Sequence, residues 1–349
     1  MAVGGIGDAI LFVPVLEQFR KKFSDRKVVL LTNHHSAGSK IYETQRHLFD
    51  ELLTFSVLPE NWKVAFKLNL KLIQFSFEEV FITYLSSQSI FFILPGLVTG
   101  RKQTVGLVKE YGWTWFYSFL FTNHYLLERA SEKRSEFEFN KLLLGEDVLL
   151  EMNWQLMIPE SYKIKAKTWM NENSVRSGSF LTVHAGSFSS QDYKRYPLER
   201  LAKVLDNLSE NFETIVLLGT PSEEDIYQPL TMMSKASLIG CFNQDLYTVA
   251  SIIEHSSLFL GNDSGLGHLA LLLNRPSVRI FGPSFYYGFK KWKEGPFIDI
   301  WQPIECSPCL RLGMLEKEGI NAFTCGHRNC LNQIEPESVT IAAKKLIRG

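Results

Sequence analysis

Two kinds of segment alternate along the chain when its residues are read as apolar or polar. Short runs of β-branched and other apolar residues predict buried strands. Longer stretches with apolar residues three or four positions apart predict amphipathic helices. The predicted strands are residues 27–32, 79–84, 103–107, 179–184, 214–218, 257–261 and 277–281. Their alternation with helical stretches favours an α/β fold, in which parallel sheets carry helices on both faces.

The helical stretches lie between these strands and after the last of them. In the first half, the stretch from Ala9 to Phe23 has apolar residues on one face and charged residues on the other. The other predicted helices are Leu198 to Leu208, Asp245 to His255, Gly265 to Leu273 and a C-terminal helix over residues 336–349. Both halves of the chain therefore have the strand–helix order of a doubly wound sheet.

The chain is long enough, at 349 residues, for two domains. The pattern predicts a first domain over residues 1–157 and a second over residues 158–335. We expect two Rossmann-like domains that face each other across a cleft. Ligands of such sheets bind at the carboxyl ends of the strands, so the candidate chemistry belongs in the loops that follow strands.

The composition excludes several classes of protein. Hydrophobic residues make up 45% and charged residues 21%, which is typical of a globular chain. The 37 Lys and Arg residues balance 37 Asp and Glu residues, and this balance argues against a general nucleic-acid-binding protein. The longest apolar run, residues 89–99, is much shorter than the ~20 residues of a membrane span. No signal peptide is recognisable at the start. We therefore expect a soluble, cytoplasmic protein.

The first candidate loop, residues 4–8, reads Gly-Gly-Ile-Gly-Asp and leads into the first predicted helix. Glycines such as Gly5 and Gly7 let a ligand approach the backbone at a helix N-terminus. The spacing differs from that of a dinucleotide-binding turn, and Asp8 would repel a pyrophosphate. Asp8 is therefore either a functional carboxylate or a helix N-cap. Met1–Val3 are too few for the usual first strand, so either the sheet begins without it or the chain has lost its start.

The second candidate loop follows the predicted strand 179–184 and extends from His184 to Pro197. Small and hydroxyl residues come first, then Lys194 and Arg195, and then a proline that starts a helix. Such a loop can surround phosphate oxygens and supply a positive charge. In the alternative interpretation it is a solvated loop with two exposed basic side chains.

The third candidate loop has the most specific pattern, a strand followed by Asn-Asp-Ser-Gly-Leu-Gly-His over residues 262–268. Asp263 or Ser264 can cap the next helix, which leaves the first N–H groups of that helix directed at an anion. Gly265 lacks a side chain and so allows a diphosphate to come close. His268 lies one turn into the helix, where it contacts either the ligand or the sheet.

Together these loops resemble glycosyltransferase family 9, the heptosyltransferase family of lipopolysaccharide core assembly. The motifs that carry the resemblance are GIGDAILFVPVL, HAGS with KRYP, LLGTPSEE, GNDSGLGHLALLLNRPSVRIFGPS and CSPC with CGHRNCL. The resemblance implies the GT-B architecture, two facing Rossmann-like domains with the acceptor on the first and the nucleotide sugar on the second. It also implies an inverting transfer from ADP-heptose that requires no cofactor for catalysis.

The resemblance assigns expected roles to residues at the matching positions. Asp8 is the catalytic general base, and Gly5 and Gly7 belong to an acceptor-side loop. Lys194 is catalytic through the departing phosphate. The expected donor-binding residues are Ser187, Glu223, Asp263, Ser264, Gly265 and His268, with Glu224 as an alternative to Glu223.

The expected partners are ADP-heptose as the nucleotide sugar and a lipopolysaccharide core saccharide as the acceptor. Transfer of the same sugar to protein Ser or Thr, and a different donor base or sugar, stay open. A non-catalytic nucleotide-sugar-binding homologue and a dehydrogenase are the alternatives from other classes. The aromatic run 111–121 stacks on sugars, rests against a membrane or is ordinary core. Peripheral contact with the inner face of the inner membrane stays open.

Four of the five cysteines, within the segment 306–330, approach a four-thiolate metal spacing. They are Cys306, Cys309, Cys325 and Cys330, and the last pair is farther apart than usual. A cytosolic location disfavours structural disulfides. The alternatives are therefore a structural Zn or Fe site and free thiols. Some relatives that glycosylate autotransporter proteins carry a four-cysteine iron site there.

Overall fold

The computed structural model describes two compact units that divide between residues 154 and 155. The described residues are 5–33, 38–55, 70, 72–75, 77–83, 102–108, 122–127, 142–145, 156–187, 189–284, 295–309 and 325–348. The predictions for the apolar run 89–99 and the aromatic run 111–121 lie outside these residues. In the described part of the chain, no helix combines the length and the hydropathy needed to cross a membrane.

The first unit begins with the predicted amphipathic helix, and its described strands are all parallel. Its helices are α1 (Ile6–Lys22) and α2 (Gly38–Glu43), and its strands are β1 (Val29–Asn33), β2 (Glu51–Phe55), β3 (Glu79–Ile82), β4 (Lys102–Val108) and β5 (Asn123–Leu127). Strands β1 and β2 form one sheet, and β3, β4 and β5 form another. Residues 9–16 are all buried, so this part of α1 is enclosed on every side, and the amphipathic expectation is wrong there; the exposed Lys21 and Lys22 lie in the last turn.

The second unit contains one parallel sheet of six strands. They are β6 (Phe180–His184), β7 (Thr214–Leu218), β8 (Leu238–Cys241), β9 (Leu258–Asn262), β10 (Ser277–Phe281) and β11 (Phe297–Trp301). Their spatial order is β11-β10-β9-β6-β7-β8. This order is that of a dinucleotide-binding Rossmann sheet, in which the direction of winding changes between the first and fourth strands. In this chain those two strands are β6 and β9.

The second unit contains the four helices that the periodicity predicts, and three more that it does not predict are described. They are α3 (Glu160–Glu172), α4 (Leu198–Leu208), α5 (Glu224–Met233), α6 (Leu246–His255), α7 (Gly265–Leu272), α8 (Asn329–Asn332) and α9 (Pro336–Arg348). Asp245 caps α6, because its carboxylate accepts a hydrogen bond from the Thr248 N–H. Strands β6, β7, β9 and β10 are buried along their whole length, as their largely apolar sequences predict.

Candidate functional site

The second and third candidate loops meet at the change of winding, where β6 and β9 are hydrogen-bonded neighbours. Asn262, the last residue of β9, joins them. Its side-chain amide donates to the Ala185 carbonyl at 2.7 Å, and its side-chain oxygen accepts from the Tyr196 N–H at 3.0 Å. Two loops that are about eighty residues apart in sequence are thus held together by one buried side chain. Ligands bind at this position in open α/β sheets.

Lys194 and Asp263 form an ion pair between these two loops. The Lys194 Nζ lies 3.0 Å from the Asp263 Oδ2, and the exposed fractions of the two side chains are 16% and 5%. Burial works to raise the pKa of Asp263, but the positive charge of Lys194 and the other lowering effects of its surroundings together outweigh burial and hold that pKa below its ordinary value. The pair therefore stays charged beside the first turn of α7, where negative charge on a ligand is favoured.

His268 lies in the second turn of α7 and is 2% exposed. Burial, assisted by the charge of Arg279, lowers the pKa of His268 to about 3. The imidazole is therefore neutral at physiological pH. Arg279 lies beneath the same helix, because a Cβ added to Gly267 would come within 3.0 Å of the Arg279 Cδ. The glycine thus allows α7 to pack closely over the arginine.

Glu223 is enclosed by the backbone of two loops. Its Oε2 accepts hydrogen bonds from the Thr220 N–H at 2.9 Å and the Thr220 hydroxyl at 3.0 Å. A Cβ added to Gly186 would lie within van der Waals overlap of the Glu223 Oε1. Burial works to raise the pKa of Glu223, but His184 and the Thr220 hydrogen bonds outweigh it and lower that pKa. The carboxylate is therefore charged, whereas Glu224 is exposed.

His184, the last residue of β6, connects Glu223 with the third loop. A hydrogen bond of 3.0 Å joins its Nδ1 to the Ser264 Oγ, and its Nε2 lies 3.7 Å from the Glu223 Oε1. Ser264 is the N-cap residue of α7, yet its hydroxyl makes no capping hydrogen bond. We call His184, Lys194, Glu223, Asp263, Ser264 and His268 the switch-point site.

Ser187 makes its hydrogen bonds within its own loop. Its hydroxyl donates to the Gln191 carbonyl at 2.8 Å and accepts from the Arg195 Nε at 2.9 Å. Arg195, which the solvated-loop alternative left exposed, thus holds the loop in shape. The hydroxyl of Ser187 is predicted to bind the donor, and it remains a prediction.

Tyr227 on α5 supports the second loop from below. Its buried phenol oxygen accepts hydrogen bonds from the N–H groups of Ala185 and Gly186, at 3.0 and 3.2 Å. The same hydroxyl donates to the Leu218 carbonyl at 2.5 Å. Burial raises the pKa of this phenol, so the hydroxyl keeps its proton. The backbone turn after β6 is therefore held in place by the Tyr227 side chain, which comes from α5.

In the first unit, Asp8 occupies the third position of α1 and reaches back to the loop. Its Oδ2 accepts a hydrogen bond from the Gly5 N–H at 2.7 Å, and Gly5 is the N-cap residue. The N-cap interpretation of Asp8 is therefore wrong in position, although the carboxylate does stabilise the helix start. The same carboxylate adds to the effect of burial in raising the pKa of the neighbouring Tyr42. A hydrogen bond thus joins the glycine-rich turn to the negatively charged Asp8 side chain.

The cysteines give no metal site in the described residues. All five are free thiols, and within the described part of the chain no three His, Cys, Asp or Glu side chains form a group that could hold a metal ion. The four late cysteines are nevertheless neighbours. Burial, together with the other three thiol groups, raises the pKa of Cys330 to about 12. The spacing thus corresponds to a local cluster of thiols, and the expectation of structural Zn or Fe lacks support.

Three residues of this region were not predicted as site residues, namely His184, Tyr227 and Arg279. His184 carried a signal, because it is a polar residue at the end of an apolar strand in a parallel sheet. Arg279 carried one too, since a charge within the strand Ser-Val-Arg-Ile-Phe requires a buried partner. That partner is Asp299, its direct cross-strand neighbour, with two hydrogen bonds of 2.8 Å. Tyr227 carried no local signal.

Comparisons of sequence agree with the geometry of this unit. A family model described as glycosyltransferase family 9 (heptosyltransferase) matches residues 151–318. The chain is 24% identical over 356 residues to lipooligosaccharide heptosyltransferase 2 of Campylobacter jejuni subsp. jejuni serotype O:2, covering 99% of this chain and 96% of that protein. It is 25% identical over 166 residues to lipopolysaccharide heptosyltransferase 3 of Escherichia coli K12, covering 45% and 44% of the two chains.

Comparisons of structure extend over the whole chain. A glycosyltransferase family 9 protein from Veillonella parvula has a TM-score of 0.76 at 18% identity, with 99% of this chain and 95% of that chain covered. ADP-heptose lipopolysaccharide heptosyltransferase II of Escherichia coli has a TM-score of 0.71 at 16% identity, with 100% and 99% covered. At these identities the likeness shows the fold, an α/β fold of two Rossmann-like domains.

Proposed function

Because the chain belongs to glycosyltransferase family 9 and is a transferase of the heptosyltransferase type, we propose that it transfers a heptose from ADP-heptose to a hydroxyl of a lipopolysaccharide core saccharide. The observation that carries the proposal is the Lys194–Asp263 ion pair beside the N-terminus of α7. Glu223 adds a charged carboxylate on the neighbouring loop. Such a set of groups suits a ligand with a diphosphate and a ribose.

The donor would be held by groups of opposite sign at its two polar parts. We assign the diphosphate to Lys194, to the Ser264 hydroxyl and to the backbone N–H groups around Gly265, because cations and helix N-termini favour anions. We assign the ribose hydroxyls to Glu223, since a fixed carboxylate can accept hydrogen bonds from two neighbouring hydroxyl groups. His268 is neutral and can donate a hydrogen bond without adding charge. Ser187 is assigned to the loop over the donor.

The proposed reaction is a single displacement with inversion at the anomeric carbon. Asp8 takes the proton of the acceptor hydroxyl as that oxygen forms its bond to the anomeric carbon. The bond from the anomeric carbon to the phosphate oxygen breaks, and its electron pair leaves with ADP. A carboxylate base typically contributes 10²–10⁴-fold to such a step. Donors on the developing charge of a leaving group typically contribute about 3–4 kcal/mol, which is the role assigned to Lys194.

Asp8 supports this assignment by its place in the first unit. One carboxylate oxygen is fixed by the Gly5 N–H at the start of α1, in the unit to which the acceptor is assigned. Gly5 and Gly7 would let the acceptor approach the backbone. We also propose that the enzyme works in the cytoplasm at the inner face of the inner membrane, because a core saccharide is attached to a lipid.

The experiment that tests this function measures ADP release by the purified chain from ADP-heptose, with and without a heptose-deficient lipopolysaccharide core. We expect release that depends on the acceptor and that falls by about 10²–10⁴-fold in Asp8→Asn. Asp25→Asn is the matched control, because Asp25 is an exposed carboxylate just beyond the end of the same helix. Full activity of Asp8→Asn would exclude Asp8 as the base. If UDP or GDP is released from its sugar in preference to ADP from ADP-heptose, the assignment of ADP-heptose as the donor is wrong.

A further inference from the structure

His184 occupies a position that the proposed chemistry leaves unused. Its imidazole is buried at the end of β6, directly opposite Gly261 of β9. One ring nitrogen meets the Ser264 hydroxyl, which the proposed function assigns to the diphosphate. The other faces the Glu223 carboxylate, which is assigned to the ribose. The ring thus lies between the two polar parts of the proposed donor site.

The Ser264 hydroxyl is unusual for an N-cap residue. Serine at this position ordinarily accepts a hydrogen bond from an N–H of the first turn, but here the hydroxyl turns to His184 and no capping bond forms. The N–H groups of the first turn of α7 are therefore not covered by their own N-cap side chain. The hydroxyl itself is held at a fixed angle by the ring.

The direction of the His184–Ser264 hydrogen bond decides what Ser264 can offer to a phosphate. A hydroxyl has one proton. If Ser264 donates it to the Nδ1, only lone pairs face the ligand, and these repel phosphate oxygens. If the Nδ1–H donates to the Ser264 oxygen, the serine proton is available to the ligand.

We propose that His184 is a positioning residue for the donor: it donates from its Nδ1 to Ser264, so that the Ser264 hydroxyl donates to the diphosphate. Glu223, from the turn before α5, lies against the Nε2 side of the ring, and Asp263 of the Lys194–Asp263 pair directly precedes Ser264 in the chain. This inference rests on the proposed function, because it takes the diphosphate to lie at Ser264.

The test compares ADP, AMP and adenosine binding by calorimetry for the wild type and for variants of His184. The Asn amide of His184→Asn can take the place of the Nδ1–H, whereas the longer His184→Gln reaches toward the Nε2 position. We expect His184→Gln to weaken ADP binding about tenfold or more, since a hydrogen bond in a charged network is lost. We expect His184→Asn to stay within about threefold of the wild type, and adenosine to bind all variants alike.

A double-variant comparison separates this role from a structural one. Ser264→Ala and the double variant Ser264→Ala/His184→Gln should bind ADP equally, because His184 acts through Ser264. His255→Asn is the control, since His255 bonds to the Ser251 carbonyl within α6, outside the switch-point site.

Each unfavourable result is informative about a different claim. If the His184 variants weaken ADP and adenosine binding equally, or if the double variant is weaker than Ser264→Ala, the positioning role is wrong while the donor site stands. If the wild type does not bind ADP, the proposed donor is wrong and this inference is wrong with it. Thermal unfolding of every variant shows whether it is folded, and the matched Asn and Gln variants carry the test if one loses stability.

Discussion

In the second unit six parallel strands form one sheet, whereas the described strands of the first unit form two separate sheets, of two and three strands. A cavity of about 440 Å³ is lined by α1, β1 and β3, and apolar side chains such as Phe12, Leu16 and Phe19 face it. The core of the second unit is continuous, and it includes residues from β6, β7, β9 and β10. In their described parts, the strands of the first unit thus border an apolar cavity, whereas those of the second share one core cluster.

The two units also differ in where they keep their charges. In the second unit the Arg279–Asp299 pair has side-chain exposures of 1% and 5%. In the described part of the first unit the Arg20–Asp50 pair is exposed by 31% and 38%. Charges act much more strongly on one another out of water. The comparison teaches that the second unit has buried ion pairs at and near its switch-point site, which is the kind of environment that the proposed nucleotide sugar would need.

The largest effect should come from breaking the buried pair. Arg279→Met leaves the Asp299 carboxylate buried without its partner, and we expect the free energy of unfolding to fall by about 3–5 kcal/mol. Arg20→Met breaks the exposed pair and should cost about 0–1 kcal/mol. Urea unfolding of the two variants measures both values.

The double variant Arg279→Met/Asp299→Leu is the control for this comparison. It removes both charges, so we expect it to recover most of the lost free energy of unfolding. Equal losses for the variants of Arg279 and Arg20 would show that the two units do not differ in this respect.

A smaller effect should follow from the buried His268. Its pKa of about 3 lies below the ordinary value near 6.5, so between these pH values the unfolded chain binds more protons than the folded chain. The contribution of His268 to the free energy of unfolding is therefore fully present above pH 6.5. It is lost as the pH falls, by on the order of 2 kcal/mol from pH 7 to pH 5. His268→Gln should lose this part of the pH dependence.

The comparison for His268 is His47, an exposed histidine of the first unit. His47→Gln should keep the full difference in unfolding free energy between pH 7 and pH 5. If His268→Gln also keeps it, the imidazole of His268 is not held neutral by its surroundings.

The smallest effect concerns the packing of the two sheets. Leu16→Phe adds volume beside the cavity of the first unit, and we expect it to stabilise the protein by about 0.5–1 kcal/mol. Leu260→Phe makes the same change in the close-packed core of the second unit and should destabilise it by about 1–3 kcal/mol. If the two substitutions change the free energy of unfolding in the same direction in urea, the proposed difference in packing is wrong.

Much of the second unit was predictable because its elements follow a simple periodicity. The helix Leu198–Leu208 has its predicted bounds, and α9 covers the predicted C-terminal segment except for its last residue. Strands β8 and β11 were not predicted. Both lie at edges of the sheet and are partly exposed, and β11 contains a charged residue. Only the neighbouring Arg279 explains why an Asp is stable there.

The candidate site was predictable in its loops but not in its contacts. The pattern of residues 262–268 indicates a strand, a turn and a helix start, which local rules can recognise. The hydrogen bond between His184 and Ser264 joins residues eighty positions apart, and it depends on the strand order. The hydrogen bonds of Tyr227 to the backbone after β6 likewise join residues about forty positions apart. Long-range side-chain contacts of this kind cannot be read from periodicity.

The central claim is that a nucleoside diphosphate lies against Lys194 at the switch-point site. The most direct test is calorimetric titration of ADP and AMP into the wild type, Lys194→Met and Lys203→Met, where Lys203 is an exposed lysine on α4. We predict that Lys194→Met weakens ADP binding about tenfold or more and AMP binding less, while Lys203→Met matches the wild type. Equal ADP affinity for Lys194→Met and the wild type would contradict the account.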